Sequence, residues 1–258
     1  MLDLFEKAAL EAGRIIMDLY RRGCTIETKA DDTPVTEADR LAEEAILSIL
    51  LPHLGDIPVI AEEQAAAGIV PQTNGHPFLL IDPLDGTREF IKRNGEFTVN
   101  IALIEEGIPT AGVVYAPALG VAYLGDRQGA LKLLIDEDHR ITSGAAIHAR
   151  SLLDPPVALA SRSHGDAETT AFLDEIGVND CRTIGSSLKF CLVAEGVADV
   201  YPRFGRTMEW DTAAGDAVLR AAGGSTVLPD GSPLTYGKRG RSDAIDFANP
   251  AFIAWGRR

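Results

Sequence analysis

The sequence predicts a layered α/β protein of the mixed (α+β) kind, and three observations carry that expectation. Apolar residues recur at helical spacing in the opening segment and again after residue 36. Residues 97–134 hold four short apolar runs separated by turn compositions. From residue 157 onward, apolar runs and helical patterns alternate. With 258 residues, 46 % of them hydrophobic and 24 % charged, the chain can bury a sizeable core as one large domain or two fused layers.

The elements follow in order. Leu2, Phe5, Ala9, Ala12, Ile16 and Leu19 form the stripe of a helix over residues 2–22, which Gly23 stops. A second helix runs from Thr36 to Leu51, with Leu41, Ala45, Ile46, Ile49 and Leu50 on its apolar face. Residues 57–60 are strand-like, and Phe78 to Ile81 is a short buried strand ending at Asp82. Strands over 97–105, 110–115, 121–125 and 130–134 make an antiparallel sheet flanked by helices. Beyond them come a strand at 157–160, helices at 166–176 and 186–195, a strand at 199–202, and a helix from Asp211 to Ala222. The expected division is an N-terminal half, residues 1–150, and a C-terminal half, residues 151–258.

Lys and Arg number 24 against 38 Asp and Glu, a formal charge of −14. Such a surface repels nucleic-acid polymers and anionic membranes, so neither is an expected partner. A small phosphorylated substrate remains compatible if bound cations reverse the local field. No stretch reaches the roughly 18 apolar residues of a membrane helix, and the acidic N-terminus lacks the pattern of a signal peptide. Cys24, Cys181 and Cys191 are odd in number and lack metal-type spacing, which predicts reduced, packed thiols and a cytoplasmic protein.

The stretch Asp82-Pro83-Leu84-Asp85-Gly86-Thr87 is the most informative. Pro83 keeps Asp82 extended at the end of its strand, while Asp85 is expected on the turn, so that the two carboxylates converge. Leu84 can offer its carbonyl to the same place. Gly86 and Thr87 open a short helix whose N–H groups suit a phosphate oxygen. Magnesium takes oxygen ligands, so this grouping describes a metal-assisted phosphoryl site. An Asp-rich turn is common without any such function, and alone the motif divides evenly between the two readings. Three other segments supply what it lacks: Glu62-Glu63, otherwise a solvated acidic pair; Thr36-Glu37-Ala38-Asp39, which also reads as a capping box; and Trp210-Asp211, where Asp211 could merely cap its helix.

Taken together, Asp39, Glu62, the Asp82–Thr87 motif and Trp210-Asp211 resemble the inositol monophosphatase superfamily of lithium-sensitive phosphatases along nearly the whole chain. The run Asp82–Leu103, with Gly185–Phe190, Tyr201–Phe204 and Glu209–Gly215, is similar to its CysQ branch, which contains the 3′(2′),5′-bisphosphate nucleotidases. The resemblance implies an α-β-α-β sugar-phosphatase fold. It implies two or three magnesium ions, the first held by Glu62, Asp82 and the Leu84 carbonyl, the second by Asp82, Asp85 and Asp211. Thr87 with Asp39 would orient the attacking water and Glu62 would help deprotonate it, with no phosphoenzyme. The substrate contacts implied are Glu62, Asp85, Gly86, Thr87, Asp211, Ser161, His164, Ser186 and Lys189, with Arg203 near a second phosphate.

The activity this predicts is conversion of adenosine 3′,5′-bisphosphate to AMP, linked by the branch to sulfate assimilation, by a monomer or homodimer. An inositol-1-monophosphatase is the alternative inside the superfamily. A haloacid-dehalogenase reading of Asp-Gly-Thr fails on spacing, because Asp82 and Asp85 stand three apart and far from the N-terminus. A non-catalytic phosphate-binding regulator is disfavoured because each expected catalytic position carries the expected chemical type.

Overall fold

The computed structural model describes residues 1–28, 34–162 and 167–258. Its elements are α1 (Leu2–Arg22), β1 (Ile26–Thr28), β2 (Pro34–Thr36), α2 (Glu37–Leu54), β3 (Val59–Ala61), α3 (Glu62–Ala66), β4 (Phe78–Asp85) and α4 (Thr87–Ile91). Then come β5 (Thr98–Glu105), β6 (Ile108–Ala116), β7 (Val121–Asp126), β8 (Gly129–Ile135) and β9 (Ile141–Ile147). The last stretch holds β10 (Val157–Ser161), α5 (Ala167–Glu175), β11 (Asp180–Ile184), α6 (Leu188–Ala194), β12 (Val200–Arg203), α7 (Ala213–Ala221), β13 (Ser225–Val227) and β14 (Phe252–Trp255).

Among the described residues β3 to β9 form one sheet in chain order, and β11-β10-β12-β14-β13 form a second. The first is antiparallel apart from β3, which runs parallel to β4. One face of it packs on α1 and α2 through Phe5, Ile16, Ile46, Leu50, Ile101 and Tyr115. Its other face, with Leu80, Ala102 and Val114, meets α6 and α7, which in turn cover the second sheet. Phe172 and Leu173 of α5 lie on that sheet's outer side, against Val200 and Trp255. The order is therefore α-β-α-β as expected, completed by α5 as a fifth layer.

Close approach lets α7 lie flat on the first sheet. A Cβ on Gly125 would stand 2.6 Å from the Cα of Val218, so only glycine allows the helix that near to β7. The strands β1, β2, β9, β11, β13 and β14 were not expected from the sequence. β9 and β11 are exposed edge strands with little apolar alternation to announce them, while Phe252–Trp255 in β14 is buried on both faces. Cys191 is buried and Cys24 partly so, but Cys181 is exposed on edge strand β11, against the expectation of packed thiols. No helix among the described residues is long and apolar enough to cross a membrane.

Candidate active site

A β-bulge makes the central motif work. Residues three apart on a regular strand point to opposite faces. Here Asp82 pairs with Asn100 and Asp85 with Thr98, so three steps on β4 answer two on β5. The extra residue turns both carboxylates to the same face. Pro83 has no N–H to lose and fits inside the irregularity. Asp85 is thus the last residue of β4 and does not lie on the turn as expected. The turn falls at Gly86, whose φ of +95° favours glycine and where an added Cβ would crowd the Glu96 carbonyl at 3.0 Å.

Parallel pairing brings in the next group. Ala61 of β3 stands beside Ile81 of β4, so the residues that follow, Glu62 just past β3 and Asp82 within β4, lie side by side. Asp211 arrives from the loop before α7. Carboxylate oxygens of Glu62, Asp82 and Asp211 lie within 4.8 Å of one another, and this is the metal-type cluster found among the described residues. Asp85 lies outside that trio but lines the same cleft, with its Oδ2 accepting the Ser187 N–H at 2.5 Å. Asp211 does not cap its helix: Thr212 precedes α7, and the Asp211 carboxylate accepts the Met208 N–H at 2.8 Å.

Burial, reinforced by the neighbouring carboxylates Glu62, Asp85 and Asp211, drives Asp82 well above the ordinary carboxylate range. Burial with Asp85 and Glu62 does the same to Asp211. Burial also pushes Asp85 up to about 6, although Lys189 and the Ser187 N–H pull the other way. Like charges gathered this closely out of water are held at a cost unless protons or a cation neutralise them. An all-oxygen, strongly acidic donor set of this size suits a hard divalent cation.

Thr36 caps α2 as the sequence suggests: its hydroxyl accepts the Ala38 N–H, and Asp39 Oδ2 takes the Thr36 N–H at 2.7 Å. Asp39 keeps its other oxygen for the Thr87 hydroxyl, 3.1 Å away, so the residue caps and serves the site together. The same hydroxyl lies 3.4 Å from the Leu84 carbonyl. Burial raises Asp39 to about 6.

Glu62, Asp82, Leu84, Asp85, Thr87 and Asp211 border a cleft of about 620 Å³. Gly86, Ser161, Ser186 and Arg203 line it as well, while Ala65, Val70, Met208, Trp210 and Phe247 supply an apolar wall. His164 lies outside the described residues. Lys189 is 4 % exposed, not solvated; its Nζ donates to the carbonyls of Ile184 and Ser186 at 3.1 and 2.5 Å and sits over the Tyr201 ring. Burial lowers it to about 8, against the pull of Asp85.

Two buried acids were given no role by the sequence reading. Glu43 of α2 accepts the N–H groups of Glu63 and Gln64 at 2.8 and 3.0 Å, capping α3 where Ala61 has no side chain to do so. That contact anchors the backbone on which the Glu62-Glu63 pair opens α3. Burial raises Glu43 to about 7. Glu209 accepts the N–H groups of Gly237 and Lys238 and pins the loop behind Trp210. Their one available signal was an acid placed among the apolar positions of a helix stripe or beside a Trp-Asp pair.

Layers and carboxylate cluster together define an enzyme of the phosphatase class. The model of the inositol monophosphatase family matches residues 1–245, and the chain belongs to that family, in its CysQ-type branch. It is 45 % identical over 261 residues to the 3′(2′),5′-bisphosphate nucleotidase CysQ of Shigella flexneri, covering 98 % of each chain. The crystal structure of CysQ from Bacteroides thetaiotaomicron is similar with a TM-score of 0.81 and 38 % identity, covering 100 % of this chain and 97 % of that one. An inositol monophosphatase from Anabaena is more distant, with a TM-score of 0.74 and 25 % identity over 99 % of this chain and 90 % of that one.

Proposed function

We propose that the chain is a magnesium-dependent phosphomonoesterase that converts adenosine 3′,5′-bisphosphate to AMP and phosphate. The observation that carries the reading is the trio of buried Asp82 and half-buried Glu62 and Asp211, with oxygens within 4.8 Å, opening on the cleft beside the Thr87–Asp39 pair. The choice of a nucleotide follows the CysQ relatives, which bear that activity in their names and are alike over nearly their full length.

Glu62, Asp82 and the Leu84 carbonyl would hold a first ion; Asp82, Asp85 and Asp211 would hold a second. Bound magnesium supplies charge neutralisation at the phosphate and a more acidic water. The chain's own part is orientation. Asp39 accepts the Thr87 hydroxyl's hydrogen bond, which leaves the Thr87 oxygen free to accept a hydrogen bond from the attacking water. Glu62 is a second acceptor for that water's proton. Ser161, Ser186 and Arg203 line the cleft where ribose and the retained phosphate would lie, and the apolar wall from Val70 to Trp210 offers a face for a base. Lys189 contributes by holding the 184–186 turn and by its positive field on Asp85.

Phosphate release from adenosine 3′,5′-bisphosphate and from inositol 1-phosphate, each with magnesium and then with EDTA, tests the reading. Magnesium-dependent preference for the nucleotide is expected. Preference for inositol phosphate would keep the metal site and remove the nucleotide assignment.

A further inference from the structure

The face of the first sheet that carries Asp82 and Asp85 carries two further polar residues, because directly paired residues point the same way. Asn100 stands opposite Asp82, and Thr98 opposite Asp85. Both are fully buried. Neither belongs to the metal cluster.

Ser187, one residue ahead of α6, closes on them from the other side. Its Oγ donates to Asn100 Oδ1 at 2.7 Å. A hydroxyl has one proton, so the 2.8 Å bond between Ser187 Oγ and Thr98 Oγ1 must be donated by Thr98. The backbone N–H of the same serine donates to Asp85 Oδ2. The residue before it, Ser186, has φ +48°, a left-handed backbone that a non-glycine side chain keeps only where surroundings fix it. Asn100 Nδ2 is buried with no hydrogen-bond partner among the described residues, a donor left on the face it shares with Asp82.

We propose that Ser187 is a positioning residue for Asp85: Thr98 and Asn100 clamp its hydroxyl to β5, and the clamped backbone N–H fixes one Asp85 oxygen so that the other faces the cation cluster. The result is a closed circuit from Asp85 through its ladder partner Thr98 to Ser187 and back. It ties the C-terminal α6 to the strand beside the motif. Loosening the hydroxyl frees the N–H to drift and lets Asp85 rotate away from the cation. This inference rests on the magnesium reading above but not on the choice of substrate.

The test is Ser187→Ala, which keeps the N–H and removes only the clamp. Calorimetric titration of Mg2+ into the substrate-free protein should show affinity reduced about tenfold. The kcat for phosphate release should fall with it, with KM within about twofold of the parent value. Ser187→Thr, which restores a hydroxyl, should recover most of both. Thr98→Val, close in shape, removes one of the two bonds; it should give a smaller loss in the same direction and serves as the readout if Ser187→Ala does not fold. A lower melting temperature with unchanged Mg2+ affinity and kcat would make Ser187 a structural residue and overturn the proposal. Absence of Mg2+ binding by the parent protein overturns both this inference and the metal reading. Turnover of inositol 1-phosphate alone removes only the nucleotide, and kcat is then read on that substrate.

Discussion

The cleft is built differently on its two sides. On the N-terminal side, side chains do most of the holding: the Thr36 and Thr87 hydroxyls donate to Asp39, and Glu43 caps the helix that begins with Glu62, with one main-chain N–H, that of Leu84, on Asp82. On the C-terminal side, the main chain does the holding, with the Ser187 N–H on Asp85 and the Met208 N–H on Asp211. A side-chain clamp can be cut by one substitution; a backbone clamp can be disturbed only through whatever fixes that backbone. Point variants should therefore injure the first side directly and the second side through its supports.

The largest expected effect removes a member of the cluster itself. Asp82→Asn or Asp211→Asn should lower phosphate release roughly a thousandfold. Thermal melts in EDTA should show both variants folded and no less stable, since each loses a buried charge held against its neighbours. A folded variant with full activity would remove the site assignment. Next, Thr87→Val breaks the contact with Asp39 and should cost about a hundredfold in kcat. Calorimetric Mg2+ affinity should stay at the parent value, because in the proposed mechanism Thr87 orients water and is not among the ion's ligands.

Glu43→Gln sharpens the contrast between the two sides. It leaves one carbonyl oxygen to serve two N–H groups, and urea unfolding should report a loss of about 1–3 kcal/mol. Weaker Mg2+ binding should accompany it through displacement of Glu62; unchanged binding would confine Glu43 to stability.

The smallest effect is a pH shift. Asp39 and Asp85 are raised to about 6 in the folded protein, from a reference of 3.8. The metal-free fold therefore binds more protons than the unfolded chain in that window. Its contribution to stability is complete below about pH 4 and lost as pH rises through about 6. In EDTA the melting temperature should fall by a few degrees between about pH 5 and 7.5. Magnesium should recover more at the higher pH, where it no longer competes with protons. An equal magnesium effect at both values would contradict the link between burial and cation.

Much of this was legible in the residues. The helical stripe from Leu2 to Leu19 and the apolar runs after Phe97 announced their elements because burial on one face imposes a period on sequence. The motif from Asp82 to Thr87 announced an oxygen-rich site only together with Asp39, Glu62 and Asp211, since an Asp-rich turn alone is as often a plain turn. The bulge between Asp82 and Asp85 was hidden, since it is defined by pairing with Asn100 and Thr98 on another strand. Lys189 read equally well as a solvated cation, and only packing against Tyr201 shows it buried. The helix expected at Asp211 begins at Ala213, because the Asp211 side chain turns back to Met208.

The layered α/β class, the order of most helices and strands, and the chemical types gathered at the site are written locally in the residues, because they depend on periodicity and on side-chain chemistry. Tertiary structure alone decided which oxygens meet and what holds them. Parallel pairing set Glu62 beside Asp82, Glu43 reached across from α2, and the turn before α6 delivered the Ser187 N–H to a carboxylate 102 positions earlier. Such contacts join segments distant along the chain, and no local pattern records a hydrogen bond between them.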